Sequence, residues 1–127
     1  MTAPREPAAN RLQVVLDCGS EGAVVRLKGA ATLDEADSLR DHLLALAGSL
    51  QGRLVLDLGG LEFINSVGLG ALVTAHVRCH RLGGWMRIAN PSPEIRHLLT
   101  LTSLTRLFEV YDSVADALHA PGPAGTR

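Results

Sequence analysis

The stretch RLVLDLGGLEFINSVGLGAL, Arg53 to Leu72, changes character twice. Arg53 to Leu58 is short and apolar, bounded by Gly52 before it and by Gly59 and Gly60 after it, as suits a central buried strand. Leu61 to Asn65 reads as a loop. From Ser66 to Leu82 the chain is long enough for four helical turns. It stops at Gly83 and Gly84, with Arg78 and Arg81 in the last turns, where cations favour the helix dipole. In open α/β sheets, the edge where a strand's carboxyl end runs into a helix is where ligands and regulation usually sit.

Working outward, Leu12, Val14 and Leu16 alternate with Gln13, Val15 and Asp17, and Gly19-Ser20-Glu21-Gly22 turns the chain into Ala23 to Lys28, an antiparallel hairpin. Thr32 with Glu35 predicts a capping box. Ala36, Leu39, Leu43, Leu46 and Leu50 then form one apolar helical stripe that ends near Gly48 to Gly52. Beyond the central segment, Trp85 to Ala89 reads as a strand. Ser92 and Pro93 open a short helix with Ile95, Leu98 and Leu99 on its apolar face. Leu107 to Tyr111 reads as a short edge strand, and Asp112 as the cap of a last helix carrying Val114, Ala117 and Leu118. This order predicts an α/β fold: one domain over residues 11–119, with a mixed, mostly parallel sheet of about five strands and about four helices. Residues 1–10 and 120–127 lack apolar periodicity and are expected to be disordered tails.

Composition narrows the function. The chain has 127 residues, a formal charge of −1 and 3% aromatics, which supplies neither the basic stripe nor the stacking platforms of a nucleic-acid binder. Direct nucleic-acid binding is not expected. Cys18 and Cys79 are far apart and form no Cys-x-x-Cys, so no disulfide framework or thiolate metal cage is signalled. Met1 to Asn10 lacks the apolar h-region of a signal peptide and no run of about 18 apolar residues is found, so a soluble, cytoplasmic protein without a membrane partner is expected.

At the central junction, Ser66 falls at or next to the N-cap of the predicted helix, near backbone N–H groups without intrahelical partners. Gly68 and Gly70 leave the first turn without bulk, so another molecule can approach the hydroxyl. Ser66 then either caps the helix, worth about 1 kcal/mol, or accepts a phosphate, which a helix N-terminus can hold.

The string LVLDLGGLEFINSVGLGAL closely resembles the signature of the STAS domain as found in bacterial anti-sigma-factor antagonists: an apolar strand, Phe or Ile, then Asp-Ser-[Ser/Thr]-Gly-Leu-Gly. The resemblance extends from about Leu12 to Leu118, with Val25-Arg26-Leu27-Lys28-Gly29 similar to the family's second strand and glycine, and Gly83-Gly84 with Trp85 to Ala89 similar to its later glycine and strand. Three positions differ from the family pattern: Asn65 stands for the aspartate, Val67 for the second Ser or Thr, and Thr32 where many members are acidic.

What the resemblance implies is a switch. The unphosphorylated antagonist binds an anti-sigma factor that is itself a serine kinase and so frees the sigma factor. Phosphorylation of Ser66 turns it off, and a phosphatase of the PP2C type reverses this. The implied partner-binding residues are Thr32, Asn65, Ser66, Val67, Gly68, Leu69 and Gly70. Any nucleotide and magnesium belong to the kinase, so this chain is expected to need no cofactor and to be no enzyme. The same resemblance admits a non-phosphorylated accessory subunit of an ABC-type lipid transport complex.

Other constellations have plainer readings. His76 and His80 have a metal-capable spacing on the predicted helix, yet no third ligand stands at a matching interval; they read as one core-edge and one exposed imidazole, with no metal. His42, His97 and His119 read as surface residues. The only lysine is Lys28, and Gly59, Gly60, Gly68 and Gly70 do not spell a P-loop. Asn65-Ser66-Val67-Gly68 is no Gly-x-Ser-x-Gly elbow. Asp57 and Glu62 read as strand-end carboxylates that are solvated or shape the loop before Ser66, and Trp85 beside Met86 as sheet packing. The apolar edge from Leu104 to Tyr111 offers a surface for a weak homodimer.

Overall fold

A computed structural model describes residues 11–121; both expected tails lie outside that range apart from Ala120 and Pro121. Strands β1 (Gln13–Gly19) and β2 (Gly22–Ala31) form the hairpin. Helix α1 (Leu33–Ser49), strand β3 (Arg53–Ile64), helix α2 (Ser66–Arg81), strand β4 (Trp85–Ala89), helix α3 (Pro93–Leu101), strand β5 (Glu109–Tyr111) and helix α4 (Val114–His119) follow. The five strands lie in chain order; β1 is antiparallel to β2 and all other neighbours are parallel.

Alternation sends successive side chains to opposite faces of the sheet. Val25 and Leu27, Leu54, Leu56 and Leu58, and Met86 and Ile88 form the main core with Leu39 and Leu43 of α1, Leu72 and Ala75 of α2, and Leu99 of α3. The intervening residues Val24, Val55 and Ala89 form a smaller core under Ala117 of α4. On that second face Arg87, 1% exposed, lies over the Trp85 ring at 3.9 Å and donates to the carbonyls of Ala117 (2.9 Å) and Pro121 (2.7 Å) and to Glu109 (3.2 Å). One buried guanidinium thus fastens α4 and Pro121 across the sheet.

Strand β3 does not end at Leu58, as the sequence predicts, but continues to Ile64 alongside β2. Its core residues are Leu54, Leu56, Leu58, Leu61 and Ile64, so the step lengthens from two to three beyond Leu58. Register shifts accompany this: Arg26 faces Asp57 but Lys28 faces Gly60, and Gly29 faces Leu61 but Ala30 faces Phe63. Each leaves one surplus residue on β3 and breaks the period that marks a strand in sequence.

Three smaller expectations are also corrected. Thr32 and Glu35 do not make a capping box. The Thr32 hydroxyl donates to Glu35 Oε1 at 3.3 Å, while Oε2 accepts the Leu12 N–H at 3.2 Å and so ties the chain entering β1 to α1. Ser113, not Asp112, caps α4 by accepting the Asp116 N–H; Asp112 pairs with Arg96 at 2.8 Å. The last strand covers only Glu109–Tyr111, because Leu104–Arg106 forms a 3₁₀ turn.

Candidate functional site

The junction between β3 and α2 is fixed by backbone pairing. Ala31, the last residue of β2, faces Ile64, the last of β3, and its carbonyl accepts the Asn65 N–H at 3.2 Å. Thr32 and Asn65, the residues that begin α1 and α2, therefore leave adjacent parallel strands at the same level. Two helix N-termini with unpaired N–H groups stand side by side, an environment that favours negative charge.

Asn65, not Ser66, is the N-cap of α2: its side-chain oxygen accepts the Gly68 N–H at 2.7 Å and its carbonyl accepts the Leu69 N–H at 2.9 Å. Ser66 is the first helical residue and is exposed. Of the other residues expected to meet a partner, Thr32 and Gly70 are exposed, Asn65 is half-buried and Val67 is 46% exposed. Gly68 and Leu69 turn inward instead. Leu69 joins the main core, and a Cβ on Gly68 would stand 2.7 Å from Cγ1 of Ile64, so that glycine serves close packing rather than access. The small, open position in the first turn is Gly70, where a Cβ would meet nothing within 4 Å.

Beside Ser66 the register shifts expose a residue that periodicity had not singled out. Phe63 is 52% exposed and, with Ile64, Ile95, Leu98 and Leu101, lines an apolar groove of about 260 Å³ between the end of β3 and α3, rimmed by Glu62, Glu94 and His97. Leu101 at its far end is also exposed. The sequence signal was an aromatic at the last turn-out of a strand, unreadable without knowing where the surplus residues fall.

Asp57 lies inside β3 and is buried, paired with Arg26 at 3.1 Å, while its Oδ1 accepts the Gly59 N–H at 2.9 Å; it shapes the strand and is not an exposed partner of Glu62. His76 and His80 stack with centroids 4.8 Å apart, and His76 meets the Phe108 ring edge-on. His76 is the half-buried imidazole of the pair and His80 the exposed one, and burial holds His76 below its ordinary value of 6.5. Among the described residues no three potential ligands gather to hold a metal. Cys79 is buried, which pushes its thiol up to about 11 and leaves it inert, whereas Cys18 is exposed. His42 and His97 are exposed, as is His119, which meets Glu21 at 2.7 Å. No helix among the described residues is long and apolar enough to cross a membrane.

The STAS domain family profile matches residues 12–117. The chain is 27% identical over 111 residues to an anti-sigma F factor antagonist of Paenibacillus polymyxa, covering 84% of this chain and 92% of that one. It superposes on the crystal structure of an anti-sigma factor antagonist from Mycobacterium paratuberculosis with a TM-score of 0.76 at 25% identity, covering 93% and 96% of the two chains. The Bacillus cell fate determinant SpoIIAA in its phosphorylated form shares the fold, with a TM-score of 0.62 at 19% identity over 84% of this chain and 96% of that one.

Proposed function

The chain belongs to the STAS domain family, and from that premise we propose that it is an anti-sigma-factor antagonist controlled at Ser66. In its unmodified form it docks on an anti-sigma factor that is also a serine kinase, and a sigma factor is released. The kinase then moves the γ-phosphoryl group of ATP onto Ser66: the Oγ–P bond forms, the bond to the β-phosphate oxygen breaks, ADP leaves, and the hydroxyl proton passes to a base on the kinase. A phosphatase of the PP2C type returns the serine by hydrolysis.

The observation that carries this reading is the division of labour at the start of α2. Asn65 caps the helix, so the exposed Ser66 hydroxyl is left free of that duty. Around it lie Thr32, Val67 and Gly70, with Phe63 and the groove to one side. A partner that closes over these apolar groups excludes water. A phosphate of about −1.5 to −2 charges within that contact must then be desolvated, and a partly buried charge without a matched partner is costly.

Capture of a cognate anti-sigma kinase by the unaltered chain and by two variants tests the switch. Ser66→Ala retains binding, and Ser66→Asp weakens it; a loss of about 3 kcal/mol corresponds to more than a hundredfold. Equal capture of the two variants overturns the reading. So does protein isolated from its own cells that carries no phosphate on Ser66 by mass spectrometry and purifies with an ABC ATPase and a permease.

A further inference from the structure

The outer edge of β1 lies apart in sequence from the Ser66 junction and is an edge of the sheet. Among the described residues, Gln13–Gly19 pairs only with β2, so one row of its backbone donors and acceptors faces outward. Exposed edges are ordinarily guarded by lysine, proline, a bulge or short length. This strand has none of these: it contains no lysine or proline, its seven residues run opposite β2 without a register shift, and Val15 and Leu16 remain 40% and 43% exposed. The other edge, β5, is three half-buried residues and offers little to pair with.

We propose that this edge pairs with β1 of a second copy of the chain, antiparallel about a two-fold axis through Val15, to make one continuous sheet across a homodimer. The sequence of the strand is self-complementary in that register. Val15 meets Val15 at the axis, Val14 lies opposite Leu16 of the second copy on the helix-covered face, and Gln13 lies opposite Asp17. An amide donor then faces a carboxylate, one oxygen of which already accepts from Arg26 at 2.8 Å. The charges select the register. With the axis at Val15 the two Asp17 residues stand about 14 Å apart along the strands, whereas an axis at Leu16 brings them to about 7 Å and sets each opposite Val15. An isologous contact of this kind closes on itself and leaves no free edge at β1 for further addition.

Sedimentation velocity of the full chain from micromolar to millimolar concentration is expected to reveal a monomer–dimer equilibrium. Val15→Lys sets two like charges face to face at the axis and weakens the dimer more than about tenfold, with circular dichroism unchanged. In a Cys18→Ser background, Val15→Cys is expected to form a disulfide-linked dimer on mild oxidation, while the unaltered chain, whose Cys18 lies opposite Leu12 of the second copy, does not cross-link. A chain that stays monomeric at millimolar concentration overturns the proposal. So does a dimer that persists in Val15→Lys and is lost in Val110→Lys, or ready cross-linking through Cys18 itself.

Discussion

Asn65 and Ser66 are neighbours that divide two tasks, and the division has a measurable consequence. Asn65→Ala removes the acceptor for the Gly68 N–H and is expected to cost about 1 kcal/mol in urea denaturation. Ser66→Ala, at an exposed position in the first turn, should change stability by less than about 0.5 kcal/mol. The sequence placed a hydroxyl and a helix start together correctly, yet it could not say which of two adjacent polar residues caps, because Asn and Ser cap about equally well. His76 adds a pH dependence. Burial, and then the neighbouring His80, lower its pKa in the folded protein, against a smaller opposing effect of Glu109. Below 6.5 the unfolded chain takes up the proton first, so its contribution is full above that value and is lost on acidification. His76→Leu should therefore flatten the fall in thermal midpoint between pH 7 and pH 5 relative to the unaltered protein.

At the scale of elements, α4 is held by Arg87 as well as by the burial of Ala117. Arg87→Met keeps apolar bulk against Trp85 but leaves the carbonyls of Ala117 and Pro121 without their donor. It is expected to cost about 2 kcal/mol and to speed amide exchange in α4 more than in α1. Sequence reading found the neighbouring Trp85 and assigned it to the sheet, but nothing local marks an arginine as buried when its partners lie 22 to 34 residues away. Strand β3 taught the same lesson in a different way. Its first half is an apolar run bounded by glycines and was legible, whereas its second half stepped by three and passed for a loop, which also hid Phe63. The burial of Leu69 and Gly68 was hidden for a related cause: membership in a short motif says nothing about which way each residue turns.

For the whole molecule, alternation of apolar runs with helical stripes was enough to fix the element order, because each signal is local and the connections are short. What it left open was how unequally the two faces of the sheet are filled. The main core lies beneath α1, α2 and α3, and the second is a small cluster closed by α4. Hydrogen–deuterium exchange should follow that inequality: the amides of Leu54, Val55 and Leu56, which are fully buried, exchange last, and those of α4 open well before global unfolding. Uniform protection across both faces would contradict it.

The two surplus residues of β3 give the strand slack. They uncouple its inner half, gripped by neighbours on both sides, from its outer half, which is anchored to β2 through Ala31. The place where α2 emerges is consequently gauged by the hairpin together with the core contacts of Leu61 and Ile64, so a single-residue deletion at Gly59 or Gly60 would be taken up by the slack and leave the start of α2 where it is.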